Sequence, residues 1–125
     1  MKKILAYRFS AFGDVAMIVP VLKEFMAQNP DTEIVFVSRK NFADLFDGVE
    51  RLTFRGVNLD DYKGVFGLRK LTKELNKEYN PKYVADLHDV LRSKILTILF
   101  KLRRKKTATL DKGRTEKKLL TRKEN

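Results

Sequence analysis

Apolar positions along the chain alternate between short continuous runs and stretches with helical spacing. Continuous runs predict buried strands over residues 3–9, 33–38, 51–54 and 83–87, and a shorter run predicts a fifth strand over residues 107–110. Spacings of three and four residues predict helices over residues 15–26, 41–46, 68–79 and 89–102, with another beginning in residues 116–120. Residues 56–67 show neither pattern and are predicted to form a loop. Because strands alternate with helices, the sequence predicts an α/β fold, a Rossmann-like open parallel sheet with flanking helices.

Two of these helices carry a specific expectation about which side chains are buried. In the first, the apolar face consists of Val15, Ile18, Val19, Leu22, Phe25 and Met26. Pro20 lies inside that helix, where it predicts a kink or the first turn of a second helical piece. In the helix over residues 89–102, the core-facing positions are Leu91, Ile95, Ile98, Leu99 and Leu102.

Length and composition fit a single globular domain. The chain has 125 residues, of which 43% are hydrophobic and none is cysteine. That apolar fraction is enough to build a core, and the lack of cysteine excludes disulfides and thiolate metal sites. The single histidine, His88, cannot form a zinc site alone. The longest strongly apolar run, residues 95–100, is far shorter than the roughly 20 residues of a transmembrane helix.

Positive charge is concentrated toward the C-terminal end of the chain. The net charge is +11; residues 1–100 contain 16 basic and 13 acidic side chains, whereas residues 101–125 contain 11 and 3. Such a field favours anionic partners, namely nucleic acid, phosphorylated sugars or an anionic membrane. The densest run consists of Lys101, Arg103, Arg104, Lys105 and Lys106. It is either a solvated helix end or a segment attracted to anionic lipids, and no nucleic-acid-binding motif accompanies it.

Three segments follow predicted strands and therefore lie where open parallel sheets carry their sites: residues 10–14, 87–89 and 110–114. The first, in the run RFSAFGD, has one glycine, so it matches neither the dinucleotide fingerprint nor the Walker A loop. Asp14 has two interpretations, a helix N-cap or a general base that takes a proton from a bound hydroxyl. Gly13 fits either one, since glycine permits a tight turn and close approach of a ligand.

Three blocks of the sequence resemble one known family. They are KILAYRFSAFGDVAMIVPVLKEF, DTEIVFVSRKNFADLF and VADLHDVLRSKIL; the first is the most specific, with Arg-Phe-Ser, Gly-Asp and a following Pro-Val-Leu. In this order they resemble glycosyltransferase family 9, the lipopolysaccharide heptosyltransferases, over most of residues 1–114. The sequence departs from the family at residues 58–61, Asn-Leu-Asp-Asp, where some members carry a basic acceptor-binding patch, and this leaves the identity of the acceptor open.

The resemblance implies a fold, an activity and a location. The fold is the N-terminal half of a GT-B glycosyltransferase, in which two Rossmann-like domains face a cleft. The activity is transfer of a sugar, heptose from ADP-heptose, to a lipopolysaccharide inner-core acceptor or a related anionic glycolipid, with inversion and with no metal or other cofactor. The location is cytoplasmic, with peripheral contact with the inner membrane.

The resemblance also implies roles for individual residues. Asp14 matches the catalytic base, and the acceptor-binding candidates are Ser10, Gly13, Lys112 and Arg114, with His88 and Arg92 as secondary ones. Arginine suits an anionic acceptor because its planar guanidinium binds carboxylate or phosphate through two hydrogen bonds. Two alternatives stay open: Arg114 as part of a solvated surface turn, and His88 as a residue whose hydrogen bonds hold its turn.

The expected organisation is an acceptor-side domain over residues 1–114, followed by a basic tail or the start of a truncated helix over residues 115–125, without the nucleotide-sugar domain. A chain that lacks the donor contacts is expected to show no turnover by itself. Two further functions remain open. One is a non-catalytic module that binds an anionic glycolipid or a partner chain, and the other is a nucleic-acid-associated protein, which rests on charge alone.

Overall fold

The computed structural model describes residues 2–109 of the chain. The strands are β1 (Lys2–Tyr7), β2 (Thr32–Arg39), β3 (Leu52–Val57), β4 (Tyr83–Asp86) and β5 (Lys106–Thr109). The α-helices are α1 (Phe12–Gln28), α2 (Gly64–Tyr79) and α3 (Leu91–Leu102), and two 3₁₀ helices cover Lys40–Phe46 and Leu59–Asp61. The five strands form one parallel sheet in the order β3-β2-β1-β4-β5. The predicted α/β fold with an open parallel sheet is confirmed.

The direction in which the chain crosses the sheet reverses at β1. From β1 the chain moves outward through β2 to β3, and it then returns to the other side of β1 to form β4 and β5. Because parallel connections are right-handed, this reversal places α1 on one face of the sheet and both α2 and α3 on the other. Ligands of open α/β sheets bind at such a reversal, beyond the carboxyl ends of the two strands. The fold therefore selects the ends of β1 and β4 as the place for a site.

Both faces of the sheet are covered, and successive side chains enter two different hydrophobic clusters. Leu5 and Tyr7 of β1 pack with residues of α2 and α3, whereas Ala6 packs with residues of α1. On the α1 side, Phe36 of β2 stacks on Phe46 of the first 3₁₀ helix, with ring centroids 4.7 Å apart. Burial on both faces is the reason that β1 and β2 occur in the sequence as continuous apolar runs.

The expectation of a loop over residues 56–67 is wrong. β3 continues to Val57, a 3₁₀ helix follows, and α2 begins at Gly64. Two glycines in its first four residues lower the helix propensity, so the apolar pattern did not reveal this start. Gly67 is required by packing, because a Cβ at this position would lie 2.3 Å from the carbonyl carbon of Tyr62.

The predicted core face of α3 is correct only in part, since Ile95 and Leu99 pack against the core but the other three positions do not. Leu91, Ile98 and Leu102 are 75%, 56% and 76% exposed. The buried positions are Ser93, Leu96, Thr97 and Phe100. Two polar residues fit this face because their hydroxyls are satisfied: Ser93 Oγ donates to the Val90 carbonyl, and Thr97 Oγ1 donates to the Ser93 carbonyl. The helix therefore turns part of its apolar stripe outward.

The first helix differs from its prediction in two details. α1 continues without interruption through Pro20, which lies on the exposed side, so the helix does not divide into two pieces. The predicted apolar face is otherwise correct: Val15, Leu22 and Met26 are buried, and Ile18 and Val19 are partly buried. Phe25 is the exception, since 39% of it is exposed.

Candidate functional site

The turn after β1 leads directly into α1. Ala11 precedes the helix in an extended conformation and makes no side-chain capping hydrogen bond. α1 begins at Phe12, so Asp14 lies within the first helical turn and the interpretation of Asp14 as the N-cap is wrong. The Asp14 side chain is 55% exposed at the carboxyl end of β1, which leaves it accessible to a ligand.

Arg8 fixes the position of the Asp14 carboxylate. Its side chain is only 6% exposed, and its Nη2 lies 3.0 Å from Asp14 Oδ2. Its Nη1 donates to the carbonyl of Leu87, just after β4, at 2.8 Å. The third nitrogen, Nε, is buried and has no hydrogen-bond partner within residues 2–109. One guanidinium thus joins the start of α1 to the turn that follows β4.

The end of β2 holds the backbone on which Arg8 sits. Ser38 Oγ donates to the Arg8 carbonyl at 2.6 Å. The next residue, Arg39, donates from Nε to the Phe9 carbonyl at 2.7 Å. These contacts tie the segment after β1 to β2, and the bond from Arg8 to Leu87 ties it to the turn after β4.

His88 contacts the same turn from the other side. The Phe9 amide donates to His88 Nδ1 at 3.4 Å, and His88 Nε2 lies 3.3 Å from Ser10 Oγ. An imidazole that accepts at Nδ1 is neutral, and it carries its proton on Nε2. His88 therefore donates to Ser10, which leaves the serine hydroxyl hydrogen for another acceptor. One interpretation expected the hydrogen bonds of His88 to hold its own turn, but these two bonds hold the turn after β1.

Asp86, the last residue of β4, shapes the turn that carries His88. It is fully buried, and its Oδ1 accepts hydrogen bonds from the amides of His88 and Asp89 at 2.8 and 2.9 Å. Its Oδ2 is buried without a hydrogen-bond partner in the described part of the chain. Sequence reasoning missed Arg8 and Asp86 as site residues. The available signal was a charged residue at or just after the carboxyl end of an apolar run.

Gly13 borders open space beside Asp14. A Cβ at Gly13 would meet no heavy atom within 4 Å. Neither the backbone conformation nor the packing requires glycine there. Arg92, in contrast, is exposed near the start of α3.

The basic run lies at the opposite end of the sheet from Asp14, because it connects α3 to the amino end of β5. Lys101, Arg103 and Arg104 are exposed. Lys105 Nζ donates to Asn80 Oδ1 at 2.8 Å, and Lys106 Nζ lies 5.8 Å from the centre of the Tyr83 ring. The predicted acceptor-binding residues Lys112 and Arg114 lie outside the described residues, as do the end of the fifth strand at Leu110 and the helix expected in residues 116–120.

No group of three or more His, Cys, Asp or Glu side chains among residues 2–109 could hold a metal ion. None of the described helices is long and apolar enough to cross a bilayer.

Solved structures of sugar-processing proteins share this architecture. A glycosyltransferase family 9 protein from Veillonella parvula matches with a TM-score of 0.72 and 20% identity, over 88% of this chain and 36% of its own. The chain therefore shares its fold with part of a glycosyltransferase family 9 protein. The E. coli heptosyltransferase WaaC, solved with ADP, matches with a TM-score of 0.62 and 18% identity, over 86% of this chain and 34% of its own. A putative UDP-N-acetylglucosamine 2-epimerase from Listeria monocytogenes matches with a TM-score of 0.65 and 11% identity, over 88% of this chain and 30% of its own.

The family 9 resemblance suggested by the sequence blocks is thereby confirmed at the level of the fold. This chain spans about a third of the length of the family 9 structure and of WaaC. A scan against protein-family models gives no match, and a search of curated proteins gives no significant match. Identities of this size establish the fold, and any activity has to be argued from the site.

Proposed function

We propose that this chain forms the acceptor-side half of an inverting glycosyltransferase of the heptosyltransferase type. The observation that carries the proposal is the Asp14 carboxylate, which is half exposed at the carboxyl end of β1 and held by the buried Arg8. A carboxylate fixed at the mouth of an open sheet, beside open space at Gly13, is suited to act as a general base. The family 9 fold supports the reaction class.

In the proposed reaction, Asp14 accepts the proton of an acceptor hydroxyl. The oxygen then attacks the anomeric carbon of the sugar donor while the bond from that carbon to the nucleotide phosphate breaks. Attack opposite the leaving group inverts the anomeric centre. Arg8 serves as a positioning residue, because its contact with Oδ2 holds the carboxylate in one orientation relative to the sheet.

The acceptor is proposed to lie over the first turn of α1. Ser10, oriented by His88, would offer its hydroxyl to a sugar hydroxyl, and Gly13 leaves room for the acceptor to approach the backbone. Lys112 and Arg114 are proposed to bind the phosphate or carboxylate groups of a lipopolysaccharide inner core. The location proposed with this acceptor is the cytoplasm, at the face of the inner membrane.

The donor is proposed to be a nucleotide-sugar, ADP-heptose, bound by polypeptide outside these 125 residues. The length comparison supports this, because the described fold accounts for about a third of each heptosyltransferase-like structure. Without donor contacts, leaving-group stabilisation and positioning of the two reactants are both lost. We therefore expect the 125-residue polypeptide to bind acceptor without transferring sugar.

A first experiment tests acceptor binding by this chain. Deacylated lipopolysaccharide inner core is titrated into the 125-residue protein, and backbone amide shifts are followed by NMR. We expect saturable shifts confined to residues 8–14 and 86–89. Shifts absent from these segments at any attainable concentration would rule out an acceptor site at this edge.

A second experiment tests the base, in an enzyme that carries this acceptor-side half together with a donor-binding half. Asp14→Asn keeps the size of the side chain and removes its basicity, so kcat is expected to fall by about 10²–10⁴-fold. Asp31→Asn is the matched control, since Asp31 is exposed at the amino ends of the strands. Equal rates for the wild type and Asp14→Asn would show that Asp14 is not the base. The competing non-catalytic module would bind glycolipid without any transfer that depends on Asp14.

A further inference from the structure

The outer side of α2 and α3 carries large apolar side chains that the described fold leaves uncovered. Phe66 is 85% exposed, Val65 56% and Leu102 76%. Together with Leu99 they line an open groove of about 440 Å³ between the two helices. Exposed apolar side chains gathered in one place, unlike single scattered ones, usually mark an interaction surface.

Four cations surround this apolar patch. Arg69 and Arg103 line the same groove, and a second open groove of about 460 Å³ adds Lys70 and Lys73 around Phe66. Among residues 2–109, no acidic side chain lines either groove. In the part of the chain that the structure describes, none of these four cations forms an ion pair. The nearby Glu74 and Glu78 are engaged elsewhere, by Tyr62 and Arg55. The patch, which we call the α2–α3 surface, is therefore apolar at its centre and positive around it.

We propose that the α2–α3 surface docks onto a bilayer that contains anionic phospholipids. Phe66 and Leu102 would enter the boundary between headgroups and acyl chains, because burying them there removes apolar area from water. Arg69, Lys70, Lys73 and Arg103 would meet the phosphates, and each cation near an anionic surface adds about 1 kcal/mol of attraction, which is about a fivefold gain in affinity.

Charge complementarity separates a lipid surface from the other occupants. A second copy of the chain would bring the same four cations against an identical positive surface, which disfavours a symmetric dimer. Nucleic acid would satisfy the cations but leave Val65, Leu99 and Leu102 without a role, since phosphate contacts require no aliphatic side chains. An anionic bilayer accounts for both the apolar centre and its charged surroundings.

The proposal assigns a surface to the membrane contact that the proposed function includes, and it can fail separately from sugar transfer, because vesicle binding can be measured with neither donor nor acceptor present. It also differs from attraction by the basic run alone. The apolar contribution comes from side chains of α2 and α3, and three of the four cations, Arg69, Lys70 and Lys73, lie on α2, outside that run. A specific docking face, rather than net charge, is what is inferred.

The test is co-sedimentation of the 125-residue protein with vesicles of phosphatidylcholine, alone or mixed with phosphatidylglycerol. We expect salt-sensitive binding to the mixed vesicles and little binding to phosphatidylcholine alone. The double variant Phe66→Ser with Leu102→Ser is expected to bind about tenfold more weakly or worse. The triple variant Arg69→Gln, Lys70→Gln and Lys73→Gln is expected to lose about a hundredfold.

The control is the double variant Met17→Ser with Val21→Ser. These side chains are 72% and 64% exposed on α1, on the other face of the sheet, so their replacement should leave vesicle binding unchanged. All variants keep residues 110–125 and so share the same basic tail. Because every substituted residue is exposed, circular dichroism should show an unchanged fold.

Several outcomes would overturn the proposal. Equal binding to the two kinds of vesicle would remove the role of anionic lipid. Unchanged binding of the Phe66 and Leu102 variant, or an equal loss in the α1 control, would remove the role of the α2–α3 surface. A wild-type dimer that dissociates in the Phe66 and Leu102 variant, without vesicle binding, would assign the surface to self-association. Oligonucleotide binding lost in the triple variant, again without vesicle binding, would assign it to nucleic acid.

Discussion

Arg8 is a charged side chain that is almost inaccessible to solvent, and its contacts determine the consequence of replacing it. A buried charge is tolerated only when it is paired and hydrogen-bonded, and Arg8 meets this condition through Asp14 and the Leu87 carbonyl. Lysine would supply one compact charge in place of a planar group with two separated donors. At the scale of single residues, the orientation of Asp14 therefore depends on a side chain that itself is inaccessible to a ligand.

Gly13 offers a prediction that separates a structural role from a ligand-binding role. Gly13→Ala should leave the free energy of unfolding unchanged or raise it by up to about 1 kcal/mol, because alanine favours the helix and its Cβ meets no neighbour. Acceptor affinity should fall, since the methyl group occupies the space through which the acceptor approaches. Urea unfolding and the NMR titration measure the two quantities.

Gly67→Ala is the matched control for that measurement. Its Cβ would collide with the Tyr62 backbone, so this variant should lose about 1–3 kcal/mol of stability. If Gly13→Ala bound the acceptor as tightly as the wild type, the open space beside Asp14 would have no role in binding.

At the scale of elements, α3 buries a face that differs in part from the one its apolar pattern predicts. Leu96→Ala is predicted to cost about 2–5 kcal/mol of unfolding free energy, because Leu96 is fully buried between the sheet and α2. Ile98→Ala removes a comparable apolar side chain that is 56% exposed, and it should cost less than about 1 kcal/mol. Urea denaturation of the two variants checks the orientation. If Ile98→Ala lost more unfolding free energy than Leu96→Ala, Ile98 would face the core, as the sequence predicted.

The strands and their parallel arrangement could be predicted because buried strands in such sheets read as apolar runs. The start of α2 could not, since Gly64 and Gly67 conceal it, and Gly67 is explained only by the nearby Tyr62 backbone. For the site, the topology alone brings Ser10, Asp14 and His88 to one edge. The contribution of Arg8 could not be predicted, because it depends on a contact with Leu87, which is 79 residues away. The roles predicted for Asp14 and the acceptor-binding residues stay predictions.

At the scale of the whole molecule, three tyrosines couple stability to alkaline pH. Burial raises the pKa of Tyr7, and burial is also the main cause of the raised pKa of Tyr79. The pKa of Tyr62 is raised chiefly because its hydroxyl donates to Glu74. Each hydroxyl therefore ionises more easily in the unfolded chain than in the folded one. The stability they contribute is fully present below the unfolded-state pKa, about 10, and is lost as pH rises through the folded-state values.

The free energy of unfolding is accordingly predicted to fall as pH rises above about 10. Tyr7→Phe should reduce the steepness of this fall, even though it loses the hydrogen bond with Thr97 and is less stable at neutral pH. Urea unfolding at a series of alkaline pH values measures the free energy of unfolding of the wild type and of Tyr7→Phe. Comparing the two curves cancels the effect of lysine deprotonation, which they share. Parallel curves would contradict a coupling through Tyr7.

The contacts across the site join parts of the chain that are far apart in sequence, and this has a consequence for biosynthesis. The pairs Arg8 with Leu87 and Phe9 with His88 are each separated by 79 residues. A nascent chain that has emerged only as far as α2 already contains Arg8 and Asp14, yet it lacks every group from β4 that orients them. We therefore expect the site to be fully assembled only after β4 has docked beside β1. Any ligand of this edge would stabilise completed chains and leave unfinished ones unaffected.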